Sequence, residues 1–235
     1  LNKNNEKILQ DIINNSIKVD HIRPGDIPNI DLYMDQVTTF MDSFLNNSKR
    51  YDEDKILTKT MINNYTKNNL LPPPNKKKYS KEHILLLIFI YYYKNMLSIT
   101  DIQNVLSPII DTLFEHKDTS LSLQRLYSKI VALEVSQVDS MKADIEQKLA
   151  TATGAFAEID SPNKDLLTLF AFTSMLSHDI YIKKHLMETL IDEFFTKEFS
   201  KTTPKQKADA KQKTAKVKQK PEVKLKTDIK QKPIK

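Results

Sequence analysis

Seven consecutive residues, Ile84 to Ile90, are all apolar, in the order Ile-Leu-Leu-Leu-Ile-Phe-Ile. A helix at a protein surface carries one apolar stripe and keeps the rest of its circumference polar, so a segment that is apolar on nearly every face has to be surrounded. Either it forms the centre of a core or a second subunit covers it. The run continues through Tyr93 and stops at Lys94, ten residues in all, whereas a bilayer needs roughly 20. No apolar stretch of signal-peptide length opens the sequence. The expectation is a soluble, cytoplasmic, all-α protein with no membrane partner.

Other features exclude whole classes of chemistry. There is no cysteine, so disulfides, thiolate metal sites and cysteine nucleophiles are ruled out. Gly25 and Gly154 are the only glycines; phosphate-cradling loops of nucleotide enzymes need several where backbone approaches ligand, which argues against those enzymes. His178 and His185 lie seven apart with Asp179, Glu188 and Asp192 nearby, a spacing that matches no recognised metal site and reads as exposed histidine. No grouping of Ser, His and Asp marks a nucleophile. No catalytic residue, metal ligand or cofactor is assigned, and the chain is expected not to be an enzyme.

The net charge of +6 hides a division. Residues 201–235 hold thirteen lysines against Asp209, Glu222 and Asp228, while the first two hundred residues sum to −4. Inside that mildly acidic body, Lys55 to Lys81 carries seven lysines and no acid, and residues 101–200 sum to −7. A basic stretch on an acidic body suggests a polyanion-binding module joined to an acidic partner domain. The lysine-rich tail has too few large apolar groups to offset its conformational entropy and is expected to be disordered. It either holds nucleic acid without sequence preference or keeps the protein soluble.

Along the chain, Ile8, Leu9, Ile12, Ile13 and Ile17 predict a short first helix, and Pro24, Gly25 and Pro28 a loop. Leu32, Val37, Phe40, Met41, Phe44 and Leu45 form one helical stripe that Asp31 is placed to cap. Thr58 can cap a next helix whose inward face is Met61, Ile62 and Tyr65. Asn69 falls where the chain leaves that helix, in the left-handed conformation asparagine tolerates. Pro72, Pro73 and Pro74 then forbid helix, Asn75 to Lys78 form a tight turn, and Ser80 can cap the apolar helix with Glu82 near its positive end. Ser98 and Asp101 stand in capping-box spacing for another.

This order of parts resembles the DNA-binding domain of MerR-type transcription regulators. In that family a Ser-capped recognition helix ends in glycine and "LLPPP", passes a basic wing to a tyrosine, and meets a Ser-started helix. Thr58 stands at the cap, Ile62 and Tyr65 match helix positions, and Asn69 replaces the glycine; Leu70, Leu71, Pro72, Pro73, Tyr79, Ser80 and Ser98 match directly. The stretch from "IPNIDLYMDQVTTFM" through "LTKTMINNY" to "PPPNKKKYSKEHI" is more similar still to an uncharacterised domain-of-unknown-function family of Gram-positive bacteria. The likeness covers residues 27–107. It implies a winged helix-turn-helix with a very short wing, followed by a helical C-terminal domain; the usual recognition-helix arginine is Asn63 here.

If the resemblance holds, the recognition helix enters the major groove and the wing meets phosphates of double-stranded DNA. The residues then assigned to DNA are Thr58, Lys59, Thr60, Asn63, Asn64, Tyr65, Lys67, Lys76, Lys77, Lys78, Tyr79 and Lys81. Tyr65 and Tyr79 could equally fill core. The division expected is an N-terminal helix and loop (1–26), the DNA-binding domain (27–107), a helical dimerisation or effector domain (108–200) and the tail (201–235). Leu123, Tyr127, Ile130, Val131, Val135, Val138, Ile145 and Leu149 predict one long helix that needs a partner, from this chain or another; the MerR likeness suggests that of a second subunit in a homodimer. Two more helices are expected near 164–176 and 178–199, with Phe170, Phe172, Met175, Met187, Phe194 and Phe195 packing a core or lining a small-molecule effector pocket. The functional expectation is a DNA-binding transcription regulator; the alternative is a scaffold that keeps the helix-turn-helix but binds protein.

Overall fold

The computed structural model describes residues 1–17, 21–114 and 122–197; the tail at 201–235 lies outside the described residues. Helix α1 (Lys3–Ser16) is followed by strand β1 (Leu32–Tyr33), α2 (Met34–Leu45), α3 (Lys59–Lys67), strand β2 (Lys78–Tyr79), α4 (Lys81–Tyr93), α5 (Ile99–Leu113), α6 (Leu123–Ser136), α7 (Val138–Ala155) and α8 (Lys164–Leu190), which runs into a π-helical turn, Ile191–Thr196. The all-α class expected from the apolar periodicity is what the chain adopts, with one two-stranded pairing added.

The apolar segment lies where its composition requires. Nine consecutive residues of α4, His83 to Tyr91, are buried, surrounded by Val37, Met41 and Leu45 of α2, Ile62 and Tyr65 of α3, Ile102 and Leu106 of α5, and Leu123 and Tyr127 of α6. Each such aliphatic or aromatic side chain contributes about 1.5–3 kcal/mol by leaving water, so α4 is the largest single source of apolar burial in the molecule. The core continues past residue 107, where the DNA-binding domain was expected to end. Leu113, Leu123 and Tyr127 belong to it, and the Tyr127 hydroxyl donates to the Ile22 carbonyl oxygen at 2.7 Å, clasping the beginning of this unit to α6.

Three local expectations are corrected. Helix α2 is capped not at Asp31 but at Tyr33, whose backbone N–H donates to Gln36 Oε1 at 2.8 Å. The reason is strand pairing: Leu32 opposes Tyr79 and Tyr33 opposes Lys78 in an antiparallel ladder, which holds the backbone extended until residue 33. The long helix expected over 123–149 is broken at Gln137. Its N–H turns to the Glu134 carbonyl at 3.1 Å, and Ser136 Oγ takes the Leu133 carbonyl at 2.7 Å, local bonds of the kind that compete with the helical ladder. Conversely, the two helices expected near 164–199 are one helix, α8, because neither proline nor glycine interrupts Lys164 to Leu190.

The C-terminal helices bury Ala152 of α7 and Thr168 and Phe172 of α8 and are joined by polar contacts as well. Lys148 of α7 pairs with Asp144 and, at 2.9 Å, with Asp179 of α8. Asp165 of α8 accepts from the side-chain amides of Asn2 and Asn5 at 3.0 and 2.9 Å, and Gln10 of α1 donates to Glu146 of α7 at 3.1 Å. No helix among the described residues is long and apolar enough to cross a membrane.

Candidate nucleic-acid interface

Helix α3 is short, and its ends are fixed by its own sequence. Thr58 Oγ1 accepts the Met61 N–H at 3.1 Å, a cap of the kind that contributes about 1 kcal/mol. At the other end Asn69 adopts φ +58°, the Leu70 N–H bonds the Tyr65 carbonyl at 2.9 Å and the Asn69 N–H bonds that of Thr66 at 3.2 Å. That pair of bonds is a Schellman motif, completed by contact between the buried Leu70 and Tyr65. The asparagine expected at the helix exit thus performs the role expected of it.

The two faces of α3 separate cleanly. Ile62 and Tyr65 are buried and Met61 packs against the core, whereas Lys59, Thr60, Asn63, Asn64 and Lys67 are exposed. Thr60, Asn63, Asn64 and Lys67 recur at threes and fours and so line one side of the helix. Tyr65 and Tyr79, assigned to DNA from the sequence, do not join them. They are 5% and 3% exposed, and burial pushes both phenols above their ordinary pKa. Their place is structural: both rings face the core and neither presents a surface to a duplex.

After the prolines the chain reverses between Asn75 and Lys78. The Lys78 N–H donates to the Asn75 carbonyl at 2.9 Å, and both central residues have positive φ, +47° at Lys76 and +64° at Lys77. Two left-handed central residues closed by that bond define the type I′ turn, which normally carries Asn-Gly or Gly-Gly. A non-glycine residue held left-handed costs roughly 1–2 kcal/mol. Lysine therefore occupies both positions against the local conformational preference.

The seven lysines of this stretch are not equivalent. Lys67, Lys76 and Lys77 are exposed, and no ion pair or hydrogen bond holds their ammonium groups among the described residues. Lys59 pairs with Asp35, Lys78 stands 5.2 Å above the centroid of the Tyr33 ring, and Lys81 donates to Asn29 Oδ1 at 3.3 Å. Through Asp35 and Tyr33, Lys59 and Lys78 meet the same first turn of α2, so the start of α3 and the base of the lysine turn sit beside one another. An exposed ion pair such as Lys59 with Asp35 contributes at most about 1 kcal/mol and weakens with salt.

A residue that sequence reasoning did not single out fixes the passage from the prolines into α4. His83 is buried, its Nδ1 accepts the Ser80 N–H at 3.0 Å, and its ring meets Tyr79 and Phe114 edge-on at 5.5 and 4.9 Å. The acceptor role of Nδ1 assigns the proton to Nε2, which is buried without a hydrogen-bond partner. Burial lowers the imidazole pKa by more than the nearby Pro73 carbonyl, Glu82, the Pro72 carbonyl and Asp31 raise it, so His83 is held neutral beneath the prolines. The available signal was its position three residues after Ser80, where a capping box places a side-chain acceptor.

Among the described residues no group of three or more His, Asp or Glu side chains could hold a metal ion; His178 and His185 are exposed. Phe170 and Phe194 are 72% and 46% exposed, so they do not line an enclosed pocket, while Phe172 packs as core.

What the geometry defines is a helical domain built around one helix whose middle is wholly apolar, with a capped polar helix and a lysine-tipped turn on its outside. Residues 22–130 match the model of a domain of unknown function (DUF1836), a span that corresponds to the unit closed by Ile22 and Tyr127. No curated protein and no solved structure matches the chain.

Proposed function

We propose that residues 27–107 form a MerR-like winged helix-turn-helix that binds duplex DNA and that the chain regulates transcription. The observation that carries this reading is the turn: two lysines kept in left-handed conformations at an exposed tip, where Asn-Gly would be less strained. Strain retained at a specific position points to a role for the side chain. Beside it, α3 offers Thr60, Asn63, Asn64 and Lys67 on one open side. Asparagine can pair bidentately with adenine, and lysines neutralise phosphates. Lys59, Lys67, Lys76 and Lys77 are the exposed cations of this surface, which sets a salt slope of roughly −3.5 if each meets one phosphate.

The reading includes a homodimer. Leu133, Val135 and Met141 of α6 and α7 and Phe170 and Tyr181 of α8 are large apolar side chains left exposed, more than a lone subunit hides. Light scattering at micromolar concentration tests this, and a monomer there contradicts it. DNA binding is tested by anisotropy titration of the full chain with mixed genomic fragments at two salt concentrations. Alanine at Lys76 and Lys77 should weaken binding and flatten the salt slope by about 2.

Apolar side chains left exposed on the helix-turn-helix unit itself, Ile30, Tyr33, Met96 and Ile99, favour a second reading, a scaffold that binds protein through the helix-turn-helix. That reading requires no change in salt slope when Lys76 and Lys77 are replaced.

A further inference from the structure

The loop after α2 and the C-terminal end of α4 line an open pocket of about 270 Å3. Four cationic side chains line it, Lys49, Arg50, Lys55 and Lys94, against one carboxylate, Asp54. Asp54 already accepts the Tyr51 N–H at 3.1 Å, and Asp52 and Glu53, though close in sequence, are not on the wall. None of the four cations forms an ion pair among the described residues.

Lys94 is the most telling of the four. Its ammonium donates to the Ile56 carbonyl at 2.6 Å and stands 4.7 Å from the centroid of the Tyr91 ring. The side chain is half-buried and burial lowers its pKa, so a positive charge has been drawn partly out of water without a counter-ion. A lysine that only closes the end of α4 accounts for this one group, not for three further cations on the same wall. Tyr91 is held in place by a 2.5 Å hydrogen bond between its hydroxyl and Ser48 Oγ, and Asn95 adds a neutral donor to the wall.

We propose that this cavity binds the phosphate group of a small phosphorylated molecule. A phosphate monoester carries two negative charges and three terminal oxygens, enough to engage the Arg50 fork and the lysines together. A single carboxylate would leave most of the cations unmatched. The volume lies just under the roughly 300–1,000 Å3 of ordinary ligand pockets, which suits a phosphate with a short polar body and excludes a dinucleotide or a duplex. Lys94 and Asn95 also line a second cavity, whose wall includes Asn64 of α3, so an occupant would sit one side chain away from the face proposed for DNA. The site stands or falls independently of that proposal.

The test is an NMR titration of the full chain with inorganic phosphate and with glycerol phosphate, against sodium chloride at equal ionic strength. Saturable shifts of the Arg50 Nε–H and the Asn95 side-chain amide are expected with both phosphates and not with chloride. Arg50→Ala combined with Lys55→Ala, both at exposed positions, should remove the Asn95 shift while the fold persists; Lys94→Met should weaken binding at least tenfold. Equal shifts in chloride, or an Asn95 shift retained in the double variant, would overturn the site. A duplex oligonucleotide that moves the same signals and displaces glycerol phosphate would overturn its assignment to a small molecule.

Discussion

Helices α4 and α8 make opposite use of apolar residues. In α4, thirteen residues long, nine consecutive side chains are buried within the chain's own core. In α8, twenty-seven residues long, Thr168 and Phe172 are buried, while Leu166, Phe170, Ile180, Tyr181, Ile182 and Leu186 are exposed. The difference lies in where partners come from. Around α4, helices α2, α3, α5 and α6, all from residues 22–130, supply most of the core, whereas α8 buries Thr168 and Phe172 in its first half, pairs with α7 through Asp179, and reaches that core only at its far end through Met187 and Ile191. The first region supplies nearly all of its own core, with Ile191, Met187 and Phe195 added from the C-terminal end; the second has apolar surface to spare, of the kind that marks interaction surfaces.

The contrast can be broken most forcefully at its two centres. Leu86→Ala in α4 should cost about 2–5 kcal/mol, read by urea unfolding. Phe170→Ala should change the stability of the isolated subunit by less than about 0.5 kcal/mol yet shift the proposed dimer toward monomer in sedimentation at micromolar concentration. Equal losses for both would erase the distinction drawn between the helices.

Smaller effects sharpen it within the first region. Replacing Lys76 by Asn and Lys77 by Gly should relieve the left-handed strain and stabilise the fold by about 1–2 kcal/mol, seen as a raised denaturation midpoint. His83 gives a pH dependence of known sign. Its pKa is lower folded than unfolded, so below about pH 6.5 the unfolded chain takes up a proton that the folded chain does not. Stability should therefore fall on acidification, by at most about 1.4 kcal/mol per pH unit from this group, until the folded pKa is reached. His83→Gln keeps an acceptor for the Ser80 N–H and should be less acid-sensitive than the parent; equal sensitivity would assign the effect to other groups. The smallest expected change is at Asp35. Asp35→Asn frees Lys59 and removes a negative charge beside α3, so stability should shift by less than about 1 kcal/mol while DNA binding tightens.

Features decided by neighbours in sequence were legible beforehand. The caps at Thr58 and Ser98, the left-handed Asn69 and the encirclement of Ile84 to Ile90 follow from local rules about donors, φ and apolar spacing. Contacts between distant segments were not. The pairing of Leu32 and Tyr33 with Lys78 and Tyr79 moved the α2 cap, the clasp of Tyr127 on Ile22 carries the core past residue 107, and neither leaves a periodic trace. In the candidate site, the exposed side of α3 and the turn could be read directly, but the burial of Tyr65 and Tyr79 could not, because a tyrosine beside a polar helix suits core and surface equally. The cation cluster around Lys94 was invisible, since Lys49, Arg50 and Lys55 stand about forty positions away from it in sequence.

The central claim is that Lys76 and Lys77 are retained for their charge at a conformational cost. Anisotropy titrations of duplex DNA with the full chain and with the Lys76→Asn/Lys77→Gly variant, over a series of salt concentrations, test it most directly. The expected result is a variant that folds at least as stably as the parent, binds more weakly, and has a salt slope shallower by about 2. Unchanged affinity and slope in that more stable variant would contradict the claim.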